Sequence, residues 1–220
     1  DKDYWNRQRY DIDPLEQLVQ QGAEIIINLS ASPYHYGKHF LRTDMLTKIA
    51  AKHKVSIVYV NQVGGNDHLI FDGSSMAVSR EGKLLLCLKK FSEDFALFDT
   101  EENCKEGTVE TGTEDISWVY EALLLGVRDY LQKNGFKRAL VGLSGGLDSS
   151  VTAAIAAAAL GAENVVGVAM PSRYSSQSSI DDARLLAENL GIEYRLLPIE
   201  SVFKAYIDLL NPGDRLLMDL

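Results

Sequence analysis

Residues 141–150 read VGLSGGLDSS, and what flanks them decides the fold. The run before them, residues 138–143 (RALVGL), is short, apolar and of strand length, while residues 149–160 (SSVTAAIAAAAL) are alanine-rich and favour a helix. Working outward, residues 165–170 (VVGVAM) read as a second strand, and residues 178–190 as a helix stopped by Gly191. Residues 194–198 read as a third strand. Strand, helix, strand, helix, strand in that order predicts a parallel, doubly wound α/β sheet. The glycine loop then falls at the carboxyl end of the first strand, the rim on which open α/β sheets bind ligands.

The loop's composition suits an anion. Gly145 and Gly146 allow a close backbone approach and positive φ, Ser144, Ser149 and Ser150 offer hydroxyl donors, and the helix start presents unpaired N–H groups. Asp148 beside bound phosphates would repel them unless it holds Mg²⁺, a hard cation that takes oxygen ligands. The candidate phosphate-binding residues are Gly142, Leu143, Ser144, Gly145, Gly146, Leu147, Asp148 and Ser149, with Asp148 as the metal ligand. No lysine stands where a Walker loop needs one, and the GxGxxG spacing is missing, so neither kinase nor dehydrogenase chemistry fits. The plainer alternative is a Gly-Ser turn that caps a helix at Asp148 or Ser149. Residues 170–176 (MPSRYSS) end the second strand on the same rim. There Arg173, Ser175 and Ser176 could touch phosphate, or the segment could be a solvated loop with a cap at Ser178 or Ser179.

Composition narrows the partners. With 220 residues, two domains are expected, and a net charge of -9 argues against general nucleic-acid or anionic-membrane binding. Cys87 and Cys104 stand in no metal-ligand or redox spacing, and no apolar run reaches the length of a spanning helix, so a reducing, cytoplasmic setting is expected. The charged start, DKDYWNRQRYD, opens without Met in a polar stretch, as an internal fragment of a longer protein would.

Ahead of the nucleotide loop, residues 14–21 read as a helix and residues 23–30 (AEIIINLS) as a strand buried on both faces. Residues 40–53 read as a helix with Leu41, Met45 and Ile49 as its apolar stripe, followed by a strand over residues 55–62. Residues 69–78, broken by DGSS, and residues 83–88 read as antiparallel strands, with a turn at residues 79–82. An acidic linker over residues 98–115 precedes a helix over residues 116–134, whose stripe is Val119, Ala122, Leu123 and Val127. Cys87, in KLLLCLKK, reads as a small buried core residue. Cys104 lies among acids that disfavour a thiolate, and His35 and His39 lack a third metal ligand.

The loop resembles the SGGxDS loop of the N-type ATP pyrophosphatases, which release pyrophosphate and leave AMP on the substrate. The segments IIINLSASPYHYGK and VSIVYVNQVGGNDHLIFDGSSMAVSREGKLL are similar to the second half of a nitrilase-type amidase. The two together resemble glutamine-dependent NAD synthetase, over nearly the whole chain and weakening only in the final GDRLLMDL. The resemblance implies the C-terminal part of an α-β-β-α nitrilase (carbon-nitrogen hydrolase) sandwich over residues 1–113. A Rossmann-like parallel-sheet adenine-nucleotide hydrolase domain, incomplete, is implied over residues 114–220. It implies ATP-dependent amidation of deamido-NAD to NAD through an adenylylated intermediate, with ammonia from glutamine. Ser32 and Lys38 match the family's glutamine-binding positions. The catalytic Glu, Lys and Cys are expected upstream of Asp1, and the full-length protein is expected to form a homo-oligomer. Another acceptor for the same pyrophosphatase chemistry, or a nucleotide-binding fragment without catalysis, are the alternatives.

Overall fold

The computed structural model describes residues 13–97 and 115–210. The opening DKDYWNRQRYD, Cys104, nearly all of the expected linker with the 113/114 boundary, and GDRLLMDL lie outside the described residues. Backbone contacts divide the chain into two compact units, Asp1–Asp129 and Tyr130–Leu220.

The first unit runs α1 (Pro14–Gln20), β1 (Ile25–Ser30), α2 (Lys38–His53), β2 (Ser56–Asn61), β3 (Val63–Asn66), β4 (Leu69–Asp72), β5 (Met76–Val78) and β6 (Leu84–Cys87). It ends within α3 (Ile116–Lys133). Asp13 caps α1 by accepting the Leu15 N–H at 3.1 Å, with Pro14 at the first helical position, where its missing N–H costs nothing. β1 pairs in parallel with β2, and β5 and β6 continue the sheet antiparallel, in the order β1-β2-β5-β6. Its core gathers Ile26, Leu46, Ala50, Ile57, Tyr59, Met76 and Val78. Each large apolar side chain buried there contributes about 1.5–3 kcal/mol.

Several expectations need correction. β1 is not buried on both faces: Ile26 points into the core, while Ile25, Ile27 and Leu29, on the other face by strand alternation, are 42%, 66% and 78% exposed. The face that α2 buries is His39, Arg42, Leu46 and Ala50, and Met45 and Ile49 only flank the core. A buried arginine and histidine disguised that stripe. The strand β3 was not expected, because VGGN shows no alternation; it pairs with β4 through a tight turn at Asp67, whose φ is 56°. Cys87 is half-buried rather than buried, since it closes the edge strand β6. In α3, Ala122 and Leu125 are the buried residues, packing with Phe91, Trp118 and Ile70, whereas Leu123 is 41% exposed. Gly126 lies under Ile70, where an added Cβ would meet Ile70 Cδ1 at 2.9 Å.

The second unit contains β7 (Ala139–Gly142), α4 (Leu147–Leu160), a 3₁₀ turn (Ala162–Asn164), β8 (Val165–Ala169), α5 (Gln177–Leu190), β9 (Glu193–Leu196) and α6 (Glu200–Leu210). The three strands are parallel, in the order β7-β8-β9. Because α4 packs on β7 and β8, α5 on β8 and β9, and the helices on each other, both cover one face. The described strands are wound in one direction only, so the doubly wound expectation is met in its parallel βαβ units and not in a reversal of strand order. Alanines make the close packing possible: Ala153 and Ala187 are fully buried between helix and sheet. β7 is buried through Val141, while Leu140 on its other face is 74% exposed. α6 was not anticipated. Among the described residues, no helix is long and apolar enough to cross a membrane.

Candidate functional site

The loop leaves β7 at Gly142 and enters α4 at Leu147, two residues earlier than the composition suggested, with Gly146 as the N-cap. Asp148 therefore stands in the first turn of the helix. Gly145 has φ +78°, and a Cβ there would lie 2.3 Å from the Ser179 carbonyl oxygen and 2.7 Å from Ser179 Cα. The backbone of α5 thus presses on a position that only glycine fills. Ser144 and Ser149 tie the loop together: their hydroxyls are 3.0 Å apart, Ser149 Oγ accepts the Ser144 N–H at 3.2 Å, and Ser144 Oγ accepts the Gly146 N–H at 3.2 Å. Ser150 donates to the Gly146 carbonyl at 2.8 Å. The first helical acceptance is Ser150 N–H to Gly146 C=O, so the N–H groups of Leu147, Asp148 and Ser149 point out of the helix start, where its dipole favours an anion.

Beside this turn lies a cleft of about 330 Å³ between the carboxyl ends of β7 and β8. The structure brings Gly142, Leu143 and Ser144 to its wall, joined by Met170, Pro171, Ser175 and Ser179. Of these, the strand-end position of 170–176 was the signal for Ser175, while Ser179 instead became visible through its contact with Gly145. Ser176, not Ser178 or Ser179, caps α5, accepting the Ser179 N–H at 3.1 Å. Arg173 is engaged elsewhere: its guanidinium pairs with Glu200 at the start of α6 and holds that carboxyl below its usual pKa. Asp148 is exposed, and the described residues contain no group of three or more His, Cys, Asp or Glu that could hold a metal. One exposed carboxylate beside an open helix start would suit a Mg²⁺ that took its remaining oxygen ligands from a bound anion and water.

In the first unit, Ser32 and Lys38 lie on the connection from β1 to α2, with Lys38 as the first residue of that helix after Gly37 (φ 83°). Lys38 Nζ donates to the carbonyl of Pro33, the neighbour of Ser32, at 2.6 Å. Partial burial lowers its pKa, the Arg42 charge lowers it further, and Asp72 opposes both. Beneath them is a network the sequence did not disclose. Arg42 grips Asp72 with two bonds of 3.2 and 3.0 Å, and Asn61 donates to Asp72 at 3.2 Å and to the Gly73 carbonyl at 3.0 Å while accepting the Ser32 N–H at 2.9 Å. All three are more than nine-tenths buried. His35 is exposed, with Nδ1 3.0 Å from the Tyr36 carbonyl, and His39 is buried edge-on to Trp118. A larger cavity of about 660 Å³ opens beside His39, Cys87, Trp118 and Arg128, and it contains neither Ser32 nor Lys38.

The NAD synthase family model matches residues 119–219. Over 216 residues, 96% of its length, the chain is 46% identical to glutamine-dependent NAD(+) synthetase from Synechocystis sp.. The chain belongs to the glutamine-dependent NAD(+) synthetase family. A second family member, from Thermotoga maritima, is 40% identical over 96% of the chain. The chain spans about two fifths of these relatives, 39% and 42% of their lengths. Among solved structures, the glutamine-dependent NAD+ synthetase of Acinetobacter baumannii in complex with ADP is similar with TM-score 0.83 and 37% identity, over 91% of this chain and 39% of that one. The family match runs to residue 219, so it includes most of GDRLLMDL, which was expected to depart from the family's pattern.

Proposed function

We propose that the full-length protein converts deamido-NAD to NAD with ATP and glutamine. In this reading residues 1–113 are the C-terminal part of a nitrilase-type α-β-β-α glutaminase domain, and residues 114–220 begin the ATP pyrophosphatase domain. This reading rests on the turn at Gly145–Gly146: tight packing against α5 fixes an open helix start next to the strand-end cleft that Gly142, Leu143 and Ser144 line, with the N–H groups of residues 147–149 preceding the first helical bond. The similarity to a glutamine-dependent NAD+ synthetase solved with ADP supports an adenine nucleotide as a ligand of this protein.

The nicotinate carboxylate attacks the α-phosphorus of ATP, the bond to the bridging oxygen breaks, and pyrophosphate leaves. Ammonia then adds to the acyl carbon and AMP departs with the bonding electrons. A carboxylate is a poor acyl donor, and AMP supplies the leaving group it lacks. The backbone donors of the turn stabilise the charge that gathers on pyrophosphate, and Asp148 would hold the Mg²⁺ that offsets the rest. At the other site Lys38, with three donors and one given to Pro33, has two left for the glutamine α-carboxylate, and the Ser32 hydroxyl would hydrogen-bond the same substrate. A cytoplasmic homo-oligomer completes the reading. With glutamine labelled in its amide nitrogen, the full-length protein is expected to place the label in NAD and to form AMP and pyrophosphate in equal amounts. ADP and phosphate as products would overturn it.

A further inference from the structure

The buried network under the Ser32–Lys38 connection converges on one carboxylate. Asp72, at the end of β4 and 1% exposed, faces two branches. One passes through the paired guanidinium of Arg42 to α2, where Lys38 stands one helical turn before Arg42. The other passes through the Asn61 side chain to the backbone of Ser32. Asn61 can make both bonds only with its amide nitrogen toward Asp72 and the Gly73 carbonyl, because a flipped amide would set its oxygen against two acceptors. Asp72 and the Gly73 carbonyl together therefore select the orientation in which Asn61 Oδ1 receives the Ser32 N–H.

We infer that Asp72 is a positioning residue for the glutamine site, fixing Lys38 through Arg42 and Ser32 through Asn61. This rests on the reading of Ser32 and Lys38 as glutamine contacts. A residue that served only stability would be better replaced by a hydrophobic pair, since a buried ion pair gains little over apolar packing of equal volume. What the pair supplies here is direction: the loop at Ser32 and the first turns of α2 are referred to one fixed anion.

The test uses the full-length protein, with KM for glutamine and kcat of glutamine hydrolysis measured separately, alongside thermal unfolding. Asp72→Asn leaves the Arg42 charge unpaired and can unfold the first unit, so Asn61→Ala, which cuts the Ser32 branch without uncovering a charge, is the decisive variant. Losing one such positioning bond is expected to raise the glutamine KM about tenfold, with kcat moving less. Asp72→Asn, where it folds, is expected to raise KM as well, because the charged grip on Arg42 is lost. A folded Asn61→Ala protein whose glutamine KM stays within about twofold, the noise of a lost exposed bond, would overturn the positioning role. Ser32→Ala and Lys38→Ala separate the two ideas. If these raise KM while Asn61→Ala does not, the positioning role alone is wrong, and if they too leave KM unmoved, the glutamine reading itself is wrong.

Discussion

Replacing Gly145 with alanine is expected to lower the stability of the second unit by about 2–5 kcal/mol, combining left-handed backbone strain with overpacking. The new Cβ would stand 2.3 Å from the Ser179 carbonyl oxygen and 2.7 Å from Ser179 Cα. These are backbone atoms in the first turn of α5 and cannot swing aside like a flexible side chain. Either α5 moves off the loop or the loop leaves the helix start of α4. Both displace Ser144 and Ser149 from the contacts that shape the turn. A displacement near 1 Å at a reacting group costs roughly 100-fold, so ATP–pyrophosphate exchange should fall at least that far. Gly142→Ala is the comparison, because a Cβ there meets only Met170 Cε, at an ordinary 3.7 Å. Its stability cost, read from denaturant midpoints, should stay below about 1 kcal/mol. Equal costs for the two substitutions would contradict the tight approach of α5 to the loop.

Asp148→Asn is expected to separate folding from chemistry. Asp148 occupies the first turn of α4, where its charge favours the helix by about 0.3–1 kcal/mol, so thermal unfolding should shift little. If it holds Mg²⁺ against pyrophosphate, removing the charge should slow exchange about 10²–10³-fold, the scale of losing one electrostatic partner of the transition state. The Mg²⁺ concentration for half-maximal exchange should rise as well. A variant with wild-type Mg²⁺ dependence would remove Asp148 from the metal's coordination and leave it as a helix-start acid.

The glycine turn between β7 and α4 was legible because its parts are local. Two glycines, three serines and an acid between a strand and an alanine-rich helix define a strand-to-helix turn without any distant partner. The same locality explains the parallel units of the second region, where strand and helix periods alternate cleanly. What stayed hidden depends on partners far away in sequence. Arg42 and His39 broke the apolar stripe of α2 because Asp72, thirty positions from Arg42, is what makes a buried guanidinium tolerable. β3 was missed because Val63-Gly64-Gly65-Asn66 has too little side chain to alternate, and its pairing with β4 supplies the order. β1 looked doubly buried since an apolar composition cannot tell which faces are covered, and Ile27 and Leu29 turned out exposed. The start of α4 was placed late because Leu147 and Asp148 follow glycines that read as loop, although Gly146 already has the extended backbone of a cap.

Pyrophosphate exchange into ATP by the full-length protein is the most direct probe of the proposed activity, since it reports adenylylation without requiring glutamine or ammonia. Labelled pyrophosphate should enter ATP only when Mg²⁺ and deamido-NAD are both present. Exchange driven instead by XMP, aspartate or tRNA, and not by deamido-NAD, would rule out deamido-NAD as the acceptor.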